Sequence, residues 1–246
     1  MDWTKELQTA QQLQPAHRRR VYATDKYVIR VTLKPGELDE FGSTHDYTHT
    51  ILQDENLVLA TNLVKSHTTV PVPAVVHFEE GLTVLEMKEG IDLEQAWDSL
   101  SSRQLDAIKL ELRCYIEQLR TIPNPHAAEF AVGTLCLTHE LLFVTDPTYP
   151  HKGPFKTIEE YRHHAPGLLN HTPKFSKHAK PLFDHMDWYQ SNIILTPNLD
   201  RIAAIIDWEN AGFVPDPKDL HRGDVPLEEW SKPQWADILD GLDVEN

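Results

Sequence analysis

The chain has 246 residues, of which 40% are hydrophobic and 25% charged, a balance typical of globular proteins that excludes disorder along the whole length. Its 23 Lys and Arg residues against 38 Asp and Glu residues give a net charge of −15. That charge argues against nucleic acid or an anionic lipid surface as the main partner, and the length allows one large core or two small lobes.

The first third of the sequence is rich in strand-forming residues. β-branched and aromatic side chains at 21–23 and 27–33 flank a polar turn at 24–26, which predicts a hairpin. A polar stretch at 34–54 follows, with two glycines and a proline, and predicts a loop.

A helix and two further strands are predicted next. Leucine and valine spacing predicts the helix over 57–66, which must end before Pro71 because the residue ahead of a proline avoids the helical conformation. Residues 74–78 and 82–87 are apolar runs joined by a Glu-Glu-Gly turn, and they predict two strands.

The periodicity of the sequence changes after Gly90. Ser101 and Gln104 have the spacing of a capping box, and apolar residues then recur at helical intervals until Pro123. This pattern predicts a long amphipathic helix.

Two more elements are predicted toward the C-terminal end. Residues 158–164 predict a short helix, and the apolar runs at 192–195 and 201–206 flank a turn and predict a second hairpin. A small β-rich first lobe followed by a mainly helical second lobe makes α+β the expected fold class.

The cysteines and the apolar runs of the sequence indicate in which cellular compartment the protein is expected. Cys114 and Cys136 are the only cysteines, too few for a disulfide scaffold and in the wrong pattern for a zinc site. The first residues are polar, and no apolar run approaches the roughly 20 residues of a membrane-spanning helix. We therefore expect a cytoplasmic protein without a membrane partner, and we interpret most of its 14 histidines as surface residues.

One segment carries most of the chemical information. His185, Asp187 and Asn192 lie in the sequence His-Met-Asp-Trp-Tyr-Gln-Ser-Asn, and Asp207 follows the second strand of the predicted hairpin, 20 residues after Asp187. Phosphoryl transfer from a nucleotide needs a carboxylate to orient or deprotonate the attacking hydroxyl, and oxygen ligands for Mg²⁺. In this interpretation Asp187 is the catalytic base, Asn192 and Asp207 bind Mg²⁺, and His185 holds the catalytic loop by hydrogen bonds.

A structural interpretation of the same residues stands beside the catalytic one. Asp and Asn are common turn formers ahead of a strand, so the spacing of Asp187 and Asn192 alone is weak evidence. The upstream histidine and the intervening hairpin favour a functional role. Asp207 favours it too, because a carboxylate that closes an Ile-Ile run has no packing reason to be there.

Further segments resemble motifs of a known protein family, and they follow one another in the same order as in that family. They are Val-Pro-Val-Pro at 70–73, Val-Leu-Glu-Met-Lys-Glu-Gly at 84–90, the Leu93, Trp97, Leu100 and Ser101 pattern, Leu-Arg-Thr-Ile-Pro at 119–123, Gly-Pro-Phe at 153–155, the 185–192 segment, and Ile-Ile-Asp-Trp-Glu-Asn-Ala-Gly-Phe at 205–213. Over residues 21–219 the sequence resembles the aminoglycoside phosphotransferase and choline kinase group, particularly the phosphotransferase-enzyme-family proteins of filamentous fungi.

The resemblance implies a protein-kinase-like bilobal fold, with a β-rich lobe over 1–86 and a helical lobe over 87–246. It also implies that ATP binds in the cleft, where the backbone of Glu86, Met87 and Lys88 faces the adenine. A role in specialised metabolism follows from the resemblance alone.

Several positions depart from the family's pattern. Arg30 stands where the family has a strand lysine, and its planar guanidinium is not equivalent to an ammonium group. Glu55 is the nearest acid for its helix partner, although Arg30 could equally be a surface strand residue. No glycine precedes Gly36, so the glycine-rich phosphate loop is missing, and Met186 replaces a glycine of the catalytic loop.

Two functions remain open at this point. The first is ATP- and Mg²⁺-dependent phosphoryl transfer to a hydroxyl of a small molecule, whose contacts we expect at Trp188, Tyr189 and Glu209 because aromatics beside carboxylates suit amine-bearing or aromatic compounds. The alternative is a kinase-fold protein that has lost phosphoryl transfer. It would serve as a binding module or catalyse a cyclisation, elimination or isomerisation, because a fold does not dictate one function.

Overall fold

The computed structural model of the protein describes residues 2–13, 15–136, 153–169 and 179–215. The elements before residue 87 are the helix α1 (Trp3–Thr9), the strands β1 (Gln11–Gln12), β2 (Arg19–Ala23) and β3 (Tyr27–Thr32), the helix α2 (Tyr47–His67), and the strands β4 (Val75–Glu79) and β5 (Leu82–Glu86). The five strands form one antiparallel sheet in the order β1-β2-β3-β5-β4. Both strand pairs that the sequence predicts here are confirmed, since β2 pairs with β3 and β4 pairs with β5.

Helix α2 is longer than the sequence predicts, and it takes up part of the stretch expected to be a loop. The Asp46 carboxylate caps it by accepting the His49 N–H at 3.1 Å, so the helix begins at Tyr47 rather than at residue 57. Its first turns bury polar side chains, including Gln53 and Asp54, which bond to Arg18 and Arg19 at the start of β2. A helix that buries polar residues has no apolar periodicity by which a sequence pattern could reveal it.

The elements after residue 87 are β6 (Ile91–Asp92), α3 (Leu93–Ala96), α4 (Ser102–Arg120), β7 (Gly133–Thr134), α5 (Ile158–Leu169), β8 (Pro181–Asp184), β9 (Ile193–Leu195), β10 (Ile202–Ile205) and β11 (Gly212–Pro215). They form two three-stranded antiparallel sheets, β10-β9-β6 and β7-β11-β8. The predicted second hairpin is confirmed as β9 and β10. Of the expected second lobe, residues 137–152, 170–178 and 216–246 lie outside the described residues.

Helix α4 anchors the larger core. Ser101 and Gln104 form the predicted capping box, and the side chains of Ile108, Leu112 and Ile116 are buried along one face of the helix. Each such side chain stabilises the fold by about 1.5–3 kcal/mol relative to an exposed one. Neither α4 nor any other helix in the described ranges is long and apolar enough to cross a membrane.

Gly90 lies in the link between β5 and β6, where the chain approaches another backbone closely. Its φ is 154°, and a Cβ added there would lie 2.0 Å from the carbonyl oxygen of Leu195. Only a residue without a side chain fits this approach. The glycine therefore lets the link between β5 and β6 lie directly against the end of β9.

Candidate active site

Segment 185–192 joins β8 to β9, and a buried carboxylate at the end of β8 shapes its start. Oδ1 of Asp184 accepts the Met186 N–H at 2.8 Å and the Trp188 Nε1–H at 3.0 Å. Met186 has a φ of 64°, a left-handed conformation that costs a non-glycine residue about 1–2 kcal/mol. The hydrogen bonds of Asp184 hold this conformation. Asp184 was not predicted as a site residue from the sequence, although it closes an apolar strand just as Asp207 does.

His185 ties this segment to the end of β10. Its ring is buried, its Nε2–H donates to the Ile206 carbonyl at 2.8 Å, and it meets Trp208 edge to face with ring centroids 4.5 Å apart. Burial lowers the pKa of His185, so the ring stays neutral near pH 7. A neutral ring with these contacts suits a positioning role rather than proton transfer.

Asp187 is the partly buried carboxylate of this segment. Asn192 Nδ2 donates to the Asp187 backbone carbonyl at 2.9 Å, and Asn210 Nδ2 lies 3.5 Å from Asp187 Oδ2. Partial burial, together with the negative charges of Asp207 and Glu209, raises the pKa of Asp187 to about 7. A carboxylate with a pKa near the working pH is suited to accept a proton.

Asp207 follows β10, and it is close enough for its negative charge to act on Asp187. Its φ is 64°, a left-handed conformation that Asp tolerates better than most residues, and the 3-10 turn Trp208–Asn210 begins directly after it. Its side chain is 44% exposed, and its Oδ1 accepts from Arg30 Nη1 at 2.6 Å.

An ion cluster of two arginines and three acids fills the space between β3, α2 and this turn. It consists of Arg19, Arg30, Asp54, Asp207 and Glu209. Arg19 Nε lies 2.8 Å from Asp54 Oδ1, and Arg30 Nη2 bonds to Glu209. Burial favours the neutral form of Glu209, but the charges of Arg19 and Arg30 outweigh it and lower the pKa of Glu209. With two positive and three negative charges, the cluster disfavours a further negative charge on Asp187.

The structure corrects the expected partner of Arg30. Arg30 is 8% exposed at its side chain and so is not a surface residue, and the acid that α2 presents to it is Asp54, with Nη2–Oδ1 at 3.7 Å. Glu55 is not that partner, because its Oε2 accepts instead from Cys136 Sγ at 3.4 Å. Neighbouring helix positions differ by about 100° around the helix axis, so Asp54 and Glu55 reach different partners. Arg19, which no sequence pattern indicated, completes the cluster.

Asn56 also went unnoticed in the sequence, and it joins α2 to the turn after Asp207. Its Nδ2 donates to the backbone carbonyls of Glu209 and Ala211, both at 2.9 Å. Its Oδ1 accepts the N–H groups of Leu135 at 2.8 Å and Cys136 at 3.1 Å. A buried amide that satisfies four backbone groups fixes the position of α2 relative to the ion cluster.

The segment expected to face adenine is already partly engaged within the protein. The Met87 N–H donates to the Lys26 carbonyl and the Glu86 N–H donates to the Ala74 carbonyl, both at 2.8 Å. The Glu86 carboxylate binds Lys88 Nζ at 2.9 Å. Two of the three backbone N–H groups of residues 86–88 therefore cannot bind a base without losing an existing backbone hydrogen bond.

The three expected substrate contacts have different environments. Trp188 is only 7% exposed and packs in the larger core, and Glu209 belongs to the ion cluster. Neither side chain therefore offers a substrate the open surface that a contact residue needs. Tyr189 is half-buried beside Asp187. Burial and the charge of Asp187 raise the pKa of Tyr189 to about 12, so its hydroxyl keeps its proton.

Comparison with known proteins identifies the fold. The sequence matches no family model and no curated protein. The structure is similar to the streptomycin–ATP ternary complex of APH(2")-IIa, with 16% identity, 88% of this chain and 72% of that chain covered, and a TM-score of 0.56. The GDP and kanamycin complex of APH(2")-IIia is 17% identical, with 96% of this chain and 77% of that chain covered and a TM-score of 0.58. The ADP-bound aminoglycoside phosphotransferase APH(2'')-Ib is 14% identical, with 98% of this chain and 94% of that chain covered and a TM-score of 0.55. The chain therefore has the α+β, protein-kinase-like bilobal fold of these enzymes, as the sequence predicts.

Proposed function

We propose that this protein transfers the γ-phosphate of ATP to a hydroxyl group of a small molecule. The observation that carries the proposal is the carboxylate of Asp187, whose pKa of about 7 suits a base, beside Asp207 and Asn192. In this function Asp187 orients the acceptor hydroxyl and accepts its proton, and the hydroxyl of Tyr189, which keeps its own proton, would donate a hydrogen bond to the acceptor. We further propose that the lobes divide after Glu86, with the nucleotide in the cleft between them.

The oxygen ligands of the site fit Mg²⁺. Asn192 uses its amide nitrogen on the Asp187 carbonyl, which leaves its Oδ1 as an acceptor, and the exposed side of the Asp207 carboxylate offers a second oxygen. When bound, the ion would neutralise charge on the nucleotide phosphates. A chain with a net charge of −15 needs this neutralisation to bind a polyanion.

Arg30 must change partners in this function. Its guanidinium is bonded to Asp207 and Glu209, so it would have to release Asp207 to reach a phosphate. Arg19 and Asp54 could hold the rest of the cluster together during that change, because their pair does not involve Asp207. Arg30→Met should therefore weaken binding of Mg·ATP by about tenfold or more, the loss expected for one charge-assisted contact of 1.5–3 kcal/mol.

The first experiment is thermal unfolding of the full chain with and without Mg·ATP, together with ADP production in the presence of a panel of hydroxylated small molecules that includes kanamycin. A ligand at 100 times its Kd stabilises the protein by about 2.7 kcal/mol, a rise in Tm on the order of 5–10 °C. Asp187→Asn should keep the thermal shift and lower turnover about 10²–10⁴-fold.

A metal-ligand variant and a control complete the experiment. Asp207→Asn should lose the thermal shift, and Asn tolerates the left-handed backbone at this position. Asp200→Asn, on the exposed turn between β9 and β10, should change neither quantity. Equal turnover in the unaltered protein and in both site variants would refute the assignment.

A second function remains a candidate because specific contacts favour it. Arg30 is held by acids, the N–H groups of Glu86 and Met87 are already bonded to backbone carbonyls, and no glycine lies between β1 and β2. A protein with these features could use Asp187 for proton transfer in a cyclisation, elimination or isomerisation, or could bind a small molecule without reaction. No thermal shift with any nucleotide, combined with a shift from a non-nucleotide ligand that Asp187→Asn abolishes, would favour this function.

A further inference from the structure

Another cluster of metal-ligating side chains lies outside both the catalytic segment and the ion cluster. His17 precedes β2, and Asp39 and His45 lie in the loop 33–46 that leads to α2. His17 Nδ1 and His45 Nε2 lie 3.2 Å and 2.7 Å from the same oxygen, Asp39 Oδ2. One ligand atom from each residue falls within 4.8 Å of the other two. Two imidazoles and a carboxylate thus converge on one point from distant parts of the sequence.

The carboxylate at the centre of this cluster is fixed in orientation. The Asp39 side chain is buried, and its Oδ1 accepts the backbone N–H groups of Phe41 at 2.9 Å and Ser43 at 2.8 Å. These two bonds leave Oδ2 directed at both imidazoles. A buried carboxylate is uncommon unless a cation or several donors hold it, and this one is already oriented as a ligand before any ion binds.

The spacing of the three ligand atoms is close to what a tetrahedral ion requires. With bonds of about 2.0–2.1 Å, two ligands of a tetrahedral Zn²⁺ are about 3.3 Å apart. The His17–Asp39 distance of 3.2 Å meets this value, and the His45–Asp39 distance of 2.7 Å needs an opening of roughly half an ångström. The two rings meet edge to face at 71°, with centroids 4.5 Å apart, so their nitrogens approach one point without the rings stacking.

The surroundings also favour a cation with one open position. The His17 side chain is 63% exposed, so water or a fourth ligand can reach the ion from that side. Imidazole with carboxylate is a ligand set that suits Zn²⁺ and other late first-row divalent ions. The net charge of −15 raises the local concentration of cations.

We propose that His17, Asp39 and His45 form a binding site for a divalent first-row transition metal ion, with Zn²⁺ as the reference ion. The bound ion fastens the loop before α2 to the segment before β2. Asp46, the N-cap of α2, directly follows His45, and Arg19 lies two positions after His17. The ion therefore stabilises the placement of the two elements whose side chains form the Arg19–Asp54 pair.

The proposal is tested by metal binding to the full-length chain after removal of metal with a chelator. Zn²⁺ is titrated by calorimetry in excess Mg²⁺, which occupies carboxylate sites that prefer a hard cation. Co²⁺ is then titrated separately, because its visible absorption reports tetrahedral coordination. The unaltered chain should bind one more equivalent of Zn²⁺ than His17→Ala or His45→Ala, and each variant should weaken that site by at least about 100-fold. His67→Ala, at an exposed histidine at the end of α2, is the matched control and should bind as the unaltered chain does.

The outcomes separate cleanly. A Zn²⁺-induced rise in Tm on the order of 5 °C in the unaltered chain and in His67→Ala, absent from His17→Ala, supports the site. No binding by the unaltered chain, equal stoichiometry in His17→Ala, or a loss in His67→Ala equal to that in His17→Ala would overturn it. His17 is exposed, so its variant should fold; if His45→Ala does not fold, His17→Ala alone decides the question.

Discussion

Replacing Asp187 by Asn should stabilise the protein at high pH and not at low pH. The substitution keeps the size of the side chain and removes its charge, and Asn192 still donates to the backbone carbonyl of residue 187. In the folded protein the pKa of Asp187 rises from 3.8 to about 7. A difference of about three units at 1.36 kcal/mol each gives an upper limit of about 4 kcal/mol, and relaxation of the segment should reduce it to about 2–4 kcal/mol.

The direction follows from proton binding. Between pH 4 and 7 the folded state holds a proton on Asp187 that the unfolded state releases, so the free energy of unfolding falls as pH rises through this window. Above pH 7 the charged Asp187 lowers the free energy of unfolding by the full amount. Below the pKa that Asp187 has in the unfolded chain, this loss of stability is absent. Asp187→Asn has no such proton, so its advantage in stability should grow from near zero at pH 4 to its full size at pH 8.

Urea unfolding at pH 4, 6 and 8 measures this difference, and a thermal scan at pH 8 should show a Tm rise on the order of 5–10 °C. Asp25→Asn, at the exposed turn between β2 and β3, is the control and should change stability by less than about 0.5 kcal/mol at each pH. A difference between Asp187→Asn and the unaltered chain that does not vary with pH would refute the reasoning, because the carboxylate would then carry no penalty for its charge.

Two further substitutions test the contacts that position the site. Asn56→Ala should cost about 3–5 kcal/mol in urea unfolding because four backbone groups lose their partner, whereas Asn198→Ala, on an exposed turn, should cost under about 0.5 kcal/mol; similar values for the two would contradict the bridging role. Gly90→Ala should cost about 3 kcal/mol or more, since its Cβ would meet the Leu195 carbonyl oxygen at 2.0 Å, and Gly36→Ala should cost only about 1–2 kcal/mol, since it has a φ of 80° but open space around it. If the two glycine variants unfold at the same urea concentration, the close approach to the Leu195 carbonyl is not the reason that position 90 requires glycine.

Elements that rest on local signals could be predicted from the sequence. The capping box at Ser101 and the alternation of apolar and turn residues around β9 and β10 involve neighbours in the chain, so their pattern is complete in a short window. Asp187 and Asp207 were predicted as site residues for the same reason, since Asp187 lies shortly before the first strand of one hairpin and Asp207 follows its second strand. Asp184 escaped notice although the same signal was present, because its partners are backbone and ring N–H groups that a residue pattern does not display.

Contacts between distant segments could not be predicted in the same way. The start of α2 depends on Asp46 and on polar residues buried against Arg19 of β2, so the segment has no apolar periodicity from which a pattern could predict the helix. The choice of Asp54 over Glu55 depends on the rotation of α2 about its axis, which only packing settles. The convergence of His17 and His45 on Asp39 likewise needs the loop to fold back on the sheet.

The amino-acid sequence by itself determined which chemical groups this protein carries and which of them share a hairpin, because strand and turn preferences act between near neighbours. It also indicated the fold, which the tertiary structure and its neighbours bear out. Only the tertiary structure decided the charge state of those groups. The raised pKa of Asp187 and the capture of Arg30 by Asp207 and Glu209 arise from burial and from charges far apart in the chain, and electrostatic energy depends on distance in space rather than on position in the sequence.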